Sequence, residues 1–383
     1  MHKLYTSFLL LIISVISAFA QFNGDGYYRV QNYVTGRYAY LIDDKGSIDY
    51  ASTSIDTYAI RLWMGFEKVC SDPAAVLYIS NHGGSNYNLS GQGTDLYSIL
   101  GQYLKLFKNN DGTYFAYGEK NGMARYLADG ISNKSSEGSW LIDNGTGEIK
   151  KWYIKPISTE GEEYFGVRPE ITIGNKNYAP FYASFPFSFA SSGMEAYYIN
   201  RIETYNGKGF AILKLLESNI IPAATPLFIK CSSEQPSDNK LNIGGIATTT
   251  ITDNLMKGVY FENTMKNHIN YVANDTATMR VLKKSIDGNL IFDITDLKNM
   301  PANKSYLSVP KGSPTVLDVV TEEEFETYKK NHDEVELITS DSNSNRGFDV
   351  YNILGVKVLS NVTTLDGLPA GIYIANGKKY VKK

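Results

Sequence analysis

Apolar positions along this chain fall in short runs rich in Tyr, Phe, Ile, Val and Thr, alternating with polar positions and separated by Asp-Gly, Asn-Gly and Gly-Ser pairs. Alternation of this kind is the period of a strand with one buried face, and the pairs supply the positive φ that tight hairpin turns require. Hairpins are predicted at Asp111-Gly112, Asn121-Gly122, Asn206-Gly207, Asp287-Gly288 and Asn376-Gly377. Helical signals are scarce. The clearest is Thr321-Glu322-Glu323-Glu324, a capping-box pattern that opens a short charged helix running to about Lys330.

Three stretches between residues 22 and 158 share one form, a strand, a polar turn and a second strand. The first joins Tyr27-Tyr28-Arg29-Val30-Gln31-Asn32 to Thr35-Gly36-Arg37-Tyr38-Ala39-Tyr40-Leu41. The second joins Leu77-Tyr78-Ile79-Ser80-Asn81 to Asn86-Tyr87-Asn88-Leu89, and the third Leu104-Lys105-Leu106-Phe107-Lys108 to Gly112-Thr113-Tyr114-Phe115-Ala116. Threefold repetition of such units predicts a β-trefoil-like domain over residues 21–165. The first unit resembles the ricin-type lectin family, whose subdomains open on Y-x-I/V-x-N-x-x-S/T-G-x-Y-L. The Gln-x-Trp that closes those subdomains corresponds here to Arg61-Leu62-Trp63 and Lys150-Lys151-Trp152, which keep the Trp. The resemblance implies a trefoil fold and a carbohydrate ligand.

Residues 166–311 form a second β-rich, sandwich-like block with an echo of its own. Ile221-Pro222-Ala223-Ala224-Thr225-Pro226-Leu227 and Met300-Pro301-Ala302-Asn303-Lys304-Ser305-Tyr306 repeat an apolar-Pro-Ala pattern ahead of a strand. This block resembles a β-rich module common in exported proteins of the Bacteroidetes. Residues 312–345 read as a charged helix and a linker ending in Asp341-Ser342-Asn343-Ser344-Asn345. The last block, 346–383, contains Val350-Tyr351-Asn352-Ile353-Leu354-Gly355-Val356-Lys357-Val358 and Leu368-Pro369-Ala370-Gly371-Ile372-Tyr373-Ile374. It resembles a short form of the C-terminal sorting domain of the type IX secretion pathway, without the upstream Y-P-N-P half, and implies secretion machinery as a partner. As a small β unit it is expected to turn Val350, Asn352 and Leu354, and again Ile372 and Ile374, to one face of each strand.

The start of the chain fits a secretory signal over residues 1–20, with Lys3, an apolar stretch over 8–16 that is interrupted by Ser14 and followed by Ser17, and Ala18-Phe19-Ala20 before a cleavage between Ala20 and Gln21. The protein is therefore expected to be exported to the periplasm, the cell surface or the medium, with no transmembrane segment. A formal net charge of −3 disfavours nucleic acid, which needs a basic face. Cys70 and Cys231 are too few for a disulfide scaffold or a CxxC metal site, and their pairing is open.

Nucleophilic hydrolysis needs a base beside Ser or Cys and commonly a G-x-S-x-G elbow, which is absent. His82, in Asn81-His82-Gly83-Gly84-Ser85, reads as a Gly-rich turn, while His268 and His332 read as solvated. No HExxH, P-loop or dinucleotide motif occurs, and no cofactor or metal is expected. What remains is the load of 29 Tyr. Aromatic rings stack on the apolar faces of sugars, so Tyr38 with Tyr40 and Tyr114 with Tyr117 are the candidate glycan contacts. Asp275-Thr276-Ala277 resembles the sequon for O-glycosylation of exported Bacteroidetes proteins, which makes Thr276 a candidate modification site. The reading that results is a non-catalytic exported binding protein for a glycan. The competing reading is a structural or adhesive protein that contacts other proteins.

Overall fold

A computed structural model describes residues 22–43, 58–63, 66–92, 104–120, 123–129, 148–260, 271–333, 347–375 and 378–382. The protein is all-β, with sheets throughout and, among the described residues, one helix of any length. Nine antiparallel strands make the N-terminal unit: β1 (Gly26–Asn32), β2 (Tyr38–Asp43), β3 (Tyr58–Trp63), β4 (Leu77–Asn81), β5 (Asn86–Gly91), β6 (Leu104–Lys108), β7 (Tyr114–Lys120), β8 (Met123–Tyr126) and β9 (Lys151–Pro156). Strand β1 pairs with β4, and the pairing runs on through β5, β6, β7 and β9 back to β1, closing a barrel of six strands. Closure leaves the ring without an edge. Strands β2 and β3 branch from β1 and β8 branches from β7, which is the trefoil plan of a barrel with hairpins leaving it.

Alternate residues fill the interior, among them Val30, Leu77, Ile79, Leu89, Leu106, Ala116 and Ile154. Trp152 is buried with them, and its indole N–H donates to the Leu127 carbonyl at 2.9 Å. The three stretches that look alike in sequence hold different places in this ring. The first leads from barrel strand β1 into the outlying strand β2, whereas the second and third each join two barrel strands, β4 to β5 and β6 to β7. Every strand–turn–strand passage looks alike to a hydrophobic pattern, so the pattern counts the repeats without setting their phase.

The central unit has two layers around one core. A small sheet holds β10 (Phe165–Gly166), β17 (Lys240–Ile243) and β13 (Phe187–Phe189). The large one adds β11 (Ile171–Ile173), β12 (Lys176–Phe181), β14 (Glu195–Tyr205), β15 (Lys208–Leu215), β16 (Leu227–Cys231), β18 (Met256–Gly258), β19 (Met279–Lys284), β20 (Leu290–Asp293), β21 (Ser305–Ser308) and β22 (Leu317–Val320). Their order is β11-β12-β16-β14-β15-β22-β20-β19-β21-β18. The sheet is strongly rolled, because Phe228 of β16 and Phe292 of β20 touch with ring centroids 6.3 Å apart although three strands lie between them.

This order is a duplication. Hairpin β14–β15 is followed by the first Pro-Ala segment and by β16, which returns to pair with β14 and β12. Hairpin β19–β20 is followed by the second and by β21, which returns to pair with β19 and β18. The two halves meet on β22, parallel to β15 and antiparallel to β20. Each Pro-Ala segment turns through a left-handed residue at the same place, Ala224 at φ 57° and Asn303 at φ 56°. Their N–H groups make equivalent bonds, Ala224 to the Ala183 carbonyl at 2.8 Å and Asn303 to the Val259 carbonyl at 2.8 Å. The prolines thus set up a turn, several residues ahead of the strand.

Strand β22 lies in the stretch that reads as helix and linker. Its Leu317 is fully buried in the central core, so the sheet claims these residues despite the charge around them. After the short turn α1 (Phe66–Val69), the one long helix is α2 (Glu322–Asp333). Its capping box forms as predicted: Thr321 N–H donates to Glu324 at 2.7 Å, and Glu324 N–H to Thr321 Oγ1 at 3.1 Å. Phe325 anchors the helix on Phe210 and Ile212 of β15. The segment Asp341–Asn345 and the hairpin positions 121–122 and 376–377 lie outside the described residues.

The barrel and the central unit are joined by buried groups. Val76, between α1 and β4, packs in the central core, and Tyr27 of β1 meets Phe185 edge-on at 6.1 Å. Gln92, fully buried, accepts the Ser184 N–H at 3.0 Å and donates to the Asn303 side chain at 2.9 Å. Arg29, also fully buried, donates to the Ala75 carbonyl at 3.4 Å and the Tyr164 carbonyl at 3.1 Å, with Glu163 3.7 Å from its Nε. Gly166 N–H bonds the Cys70 carbonyl at 2.9 Å, and a Cβ there would sit 2.0 Å from the Pro236 carbonyl oxygen, so no other residue fits.

The C-terminal unit is a four-stranded antiparallel sheet in the order β24 (Lys357–Val362), β23 (Phe348–Asn352), β25 (Gly371–Ala375), β26 (Lys378–Lys382). Val350, Tyr373, Ala375 and Tyr380 form its core. Ile372 and Ile374 share one face of β25, and it is the exposed one, because Tyr373 and Ala375 have taken the buried face.

Ala224 holds a left-handed conformation that costs an L-residue about 1–2 kcal/mol and glycine little. Ala224→Gly should therefore raise the urea unfolding free energy by about 0.5–1 kcal/mol after the added unfolded-state entropy is counted. An unchanged or lowered midpoint would show that the methyl group is needed for packing.

Candidate carbohydrate-binding surface

Of the four predicted glycan contacts, three are core residues. Tyr38, Tyr40 and Tyr114 are 5%, 6% and 5% exposed: Tyr114 points into the barrel beside Ala116, and Tyr38 and Tyr40 lie on β2, a strand outside the ring that is covered on both faces, as buried Ala39 between them shows. The Tyr38 hydroxyl donates to Glu163 at 2.8 Å, and burial together with that carboxylate pushes its pKa up. Glu163 also receives Lys155 at 2.7 Å, so this hydroxyl is part of the joint near Arg29 and turned away from solvent. Tyr114 packs edge-on against Phe22 at 5.9 Å.

Tyr117 is different. Leu106 and Ala116 face one another inside the barrel, so their neighbours Phe107, Phe115 and Tyr117 face outward. Tyr117 opposes Tyr126 on β8, and Phe115 opposes Lys151 on β9. Ring centroids are 6.3 Å apart for Phe107–Tyr117, 5.3 Å for Tyr117–Tyr126 and 5.9 Å for Phe115–Tyr126. Lys150 Nζ lies 4.4 Å over the Tyr126 ring and 5.2 Å from Phe115. Further round, Lys151 lies 5.3 Å over Tyr33, which meets Tyr153 at 5.6 Å. Phe107 is 46% and Tyr33 38% exposed, which makes this wall of the barrel an open aromatic surface.

The surface is pinned at one edge. Asp111, in the β6–β7 turn, pairs with Lys151 at 2.8 Å and accepts Thr113 Oγ1 at 2.6 Å. These bonds hold its carboxyl down at about 2. Of these outward rings the sequence reading named Tyr117 alone, and not Phe107, Phe115, Tyr126, Tyr33 or Tyr153. The usable signal was the register, because once Leu106 and Ala116 are placed inside, their neighbours must be outside.

Thr276 is exposed in a turn before β19. The side chain of its neighbour Asp275 is occupied by the Ala277 N–H at 3.0 Å and Thr278 Oγ1 at 2.7 Å. His82 is exposed in the β4–β5 turn with Nε2 3.3 Å from Ser80 Oγ, and His332 stacks on Tyr328 at 3.9 Å. Ala20, Gln21 and His268 lie outside the described residues. Cys70 and Cys231 are free and buried, and burial pushes the Cys231 thiol up to about 12. Among the described residues, no group of three His, Cys, Asp or Glu is placed to hold a metal ion, and no helix is long and apolar enough to cross a membrane.

No protein-family model matches this chain, and no curated protein matches it. One solved structure with which it aligns is described as "Structure and mode of action of a mosquitocidal holotoxin", at 8% sequence identity and a TM-score of 0.27. The alignment covers 86% of this chain and 54% of that one, so this chain spans about half the length of that toxin.

A carboxyl held below its ordinary value is ionised and paired above that value, and it loses the pairing as pH falls toward the lowered one. Asp111 should therefore keep Lys151 in place from neutral pH to near pH 2. In an NMR titration its midpoint should rise toward the ordinary carboxylate range in Lys151→Ala. An unmoved midpoint would mean that Thr113 alone sets it.

Proposed function

We propose that this protein is a non-catalytic, exported binding protein that holds a carbohydrate on the outer aromatic wall of its N-terminal barrel. The observation that carries this reading is the connected set of outward rings Phe107, Tyr117, Tyr126 and Phe115, braced by Lys150. Rings fixed by one another and by strand pairing lose little freedom on binding, and their faces suit the apolar faces of sugars. Lysines beside the rings offer donors to hydroxyl and ring oxygens.

In this reading the C-terminal sheet serves delivery by secretion machinery. It has a core of its own, Val350 with Tyr373 and Tyr380, and exposes Ile353, Leu354 and Val356 at the β23–β24 turn. Thr276, exposed in its turn, is the site where a host glycan would be attached.

The test is a pull-down on insoluble polysaccharides and a glycan array with the full-length protein, each challenged with free sugar. Sugar-competable binding should fall about tenfold or more in the double variant Tyr117→Ala, Tyr126→Ala, since each stacked ring contributes on the order of 1 kcal/mol. Binding that free sugar cannot compete, or that the double variant leaves untouched, would favour an adhesive role toward other proteins.

A further inference from the structure

The rolled central sheet opens into a cavity of about 460 Å3, well removed in sequence from the barrel wall. Tyr178 and Tyr197 line it, and both rest on fully buried Phe228. Tyr197 stacks on that ring at 5.6 Å and 21°, and Tyr178 meets it edge-on at 6.3 Å. Each ring therefore has a fixed inner contact, and both remain only half-buried. Leu213, Leu290 and Val319 extend the apolar wall, and Lys230, Asn289, Thr321 and Glu324 bring polar groups to it.

The four charges that line the cavity are of both signs, and two of them are already paired. Lys230 donates to Glu195 at 2.7 Å, and Glu195 also accepts the Tyr197 hydroxyl at 2.7 Å, which locks that ring. Asp318 pairs with Lys208 at 2.5 Å, and Glu324 already accepts the Thr321 N–H at the start of α2. An anion would meet Glu324 and Asp318, and a cation would meet Lys176 and Lys230. A wholly apolar ligand would strip water from this charged rim at a high cost. An uncharged molecule with one apolar face and a hydroxyl edge suffers none of these penalties, and the volume lies within the range of small-ligand sites, about 300–1,000 Å3.

We propose that this mouth is a second ligand site, independent of the barrel wall, that takes one neutral sugar unit with its apolar face on Tyr178 and Tyr197 and its hydroxyls toward Lys230, Asn289 and Thr321. The chain then carries two carbohydrate sites of different shape, an open wall on the barrel and a recessed mouth on the central unit.

The test is saturation-transfer NMR on the full-length protein with methyl β-D-glucopyranoside, methyl α-D-mannopyranoside, methyl β-D-galactopyranoside and N-acetyl-D-glucosamine, with sodium hexanoate as an anionic, apolar control. At least one sugar should receive saturation and hexanoate none. Affinity should weaken about tenfold in Tyr197→Ala and persist in Tyr197→Phe, which keeps the ring. Leu290→Trp, which fills the cavity without removing a ring, should abolish the sugar binding that remains in Tyr117→Ala, Tyr126→Ala, where the barrel wall is disabled, so the proposal stays testable even if Tyr197→Ala fails to fold. Tyr117→Ala should change nothing at this site, which separates it from the barrel wall. The proposal is overturned if no sugar receives saturation, if hexanoate binds and is displaced by Leu290→Trp, or if sugar binding in the Tyr117→Ala, Tyr126→Ala protein survives both Tyr197→Ala and Leu290→Trp.

Discussion

The buried joint between barrel and central sheet is the constraint on which the arrangement of this protein depends. Arg29 sits on β1, the strand paired to both ends of the barrel ring, yet its guanidinium reaches the Tyr164 carbonyl beside the first strand of the central unit. A buried guanidinium stays charged and must be compensated, which Glu163 does at 3.7 Å while itself held by Lys155 and Tyr38. Gln92 makes a second tie, to Ser184 and Asn303, and Val76 contributes a side chain of the N-terminal unit to the central core. Moving the units apart would expose the apolar contacts of Val76 and Tyr27 to water and exchange this whole set of buried bonds at once, so they are held as one body.

That joint gives meaning to the duplication in the central sheet. Asn303 is the left-handed residue of the second Pro-Ala turn, and the residue after Ala183, which accepts the first turn's N–H, is Ser184. Gln92 bonds both, so the barrel is docked at the place where the two halves of the duplication present their turns. The proposed sites lie on the two bodies so joined, the aromatic wall on β6 to β9 and the mouth floored by Tyr178 and Tyr197. The C-terminal sheet stands apart in this respect, since among the described residues the apolar cluster around Val350 draws on residues from 348 to 380.

Much of this fold was legible in the sequence. The all-β class followed from alternation and turn pairs, and the turns at Asp111-Gly112, Asn206-Gly207 and Asp287-Gly288 all carry the positive φ expected at the glycine. The capping box at Thr321 formed because its chemistry is local. Phase and facing were harder. Tyr is amphipathic, so nothing in composition distinguishes Tyr114, packed inside the barrel, from Tyr117, three residues on and outside. In the C-terminal unit the more apolar Ile372 and Ile374 lost the interior to Tyr373 and Ala375. Strand β22 was hidden because four residues between charged neighbours show no period, and its place is set by two distant hairpins. The joint itself was invisible, since Arg29, Gln92 and Glu163 are unremarkable until long-range folding brings them together.

The central claim is that barrel and central sheet unfold as one cooperative body. Native-state hydrogen exchange on the full-length protein tests this most directly, by comparing slow amides of the barrel such as Val30 and Ile79 with those of the central sheet such as Ile199 and Phe228, in the natural sequence and in Gln92→Ala. One opening free energy is expected for both groups, lowered together in the variant by about 2 kcal/mol for the buried groups left unpaired. Separate opening free energies, or a variant that lowers only one group, would contradict it.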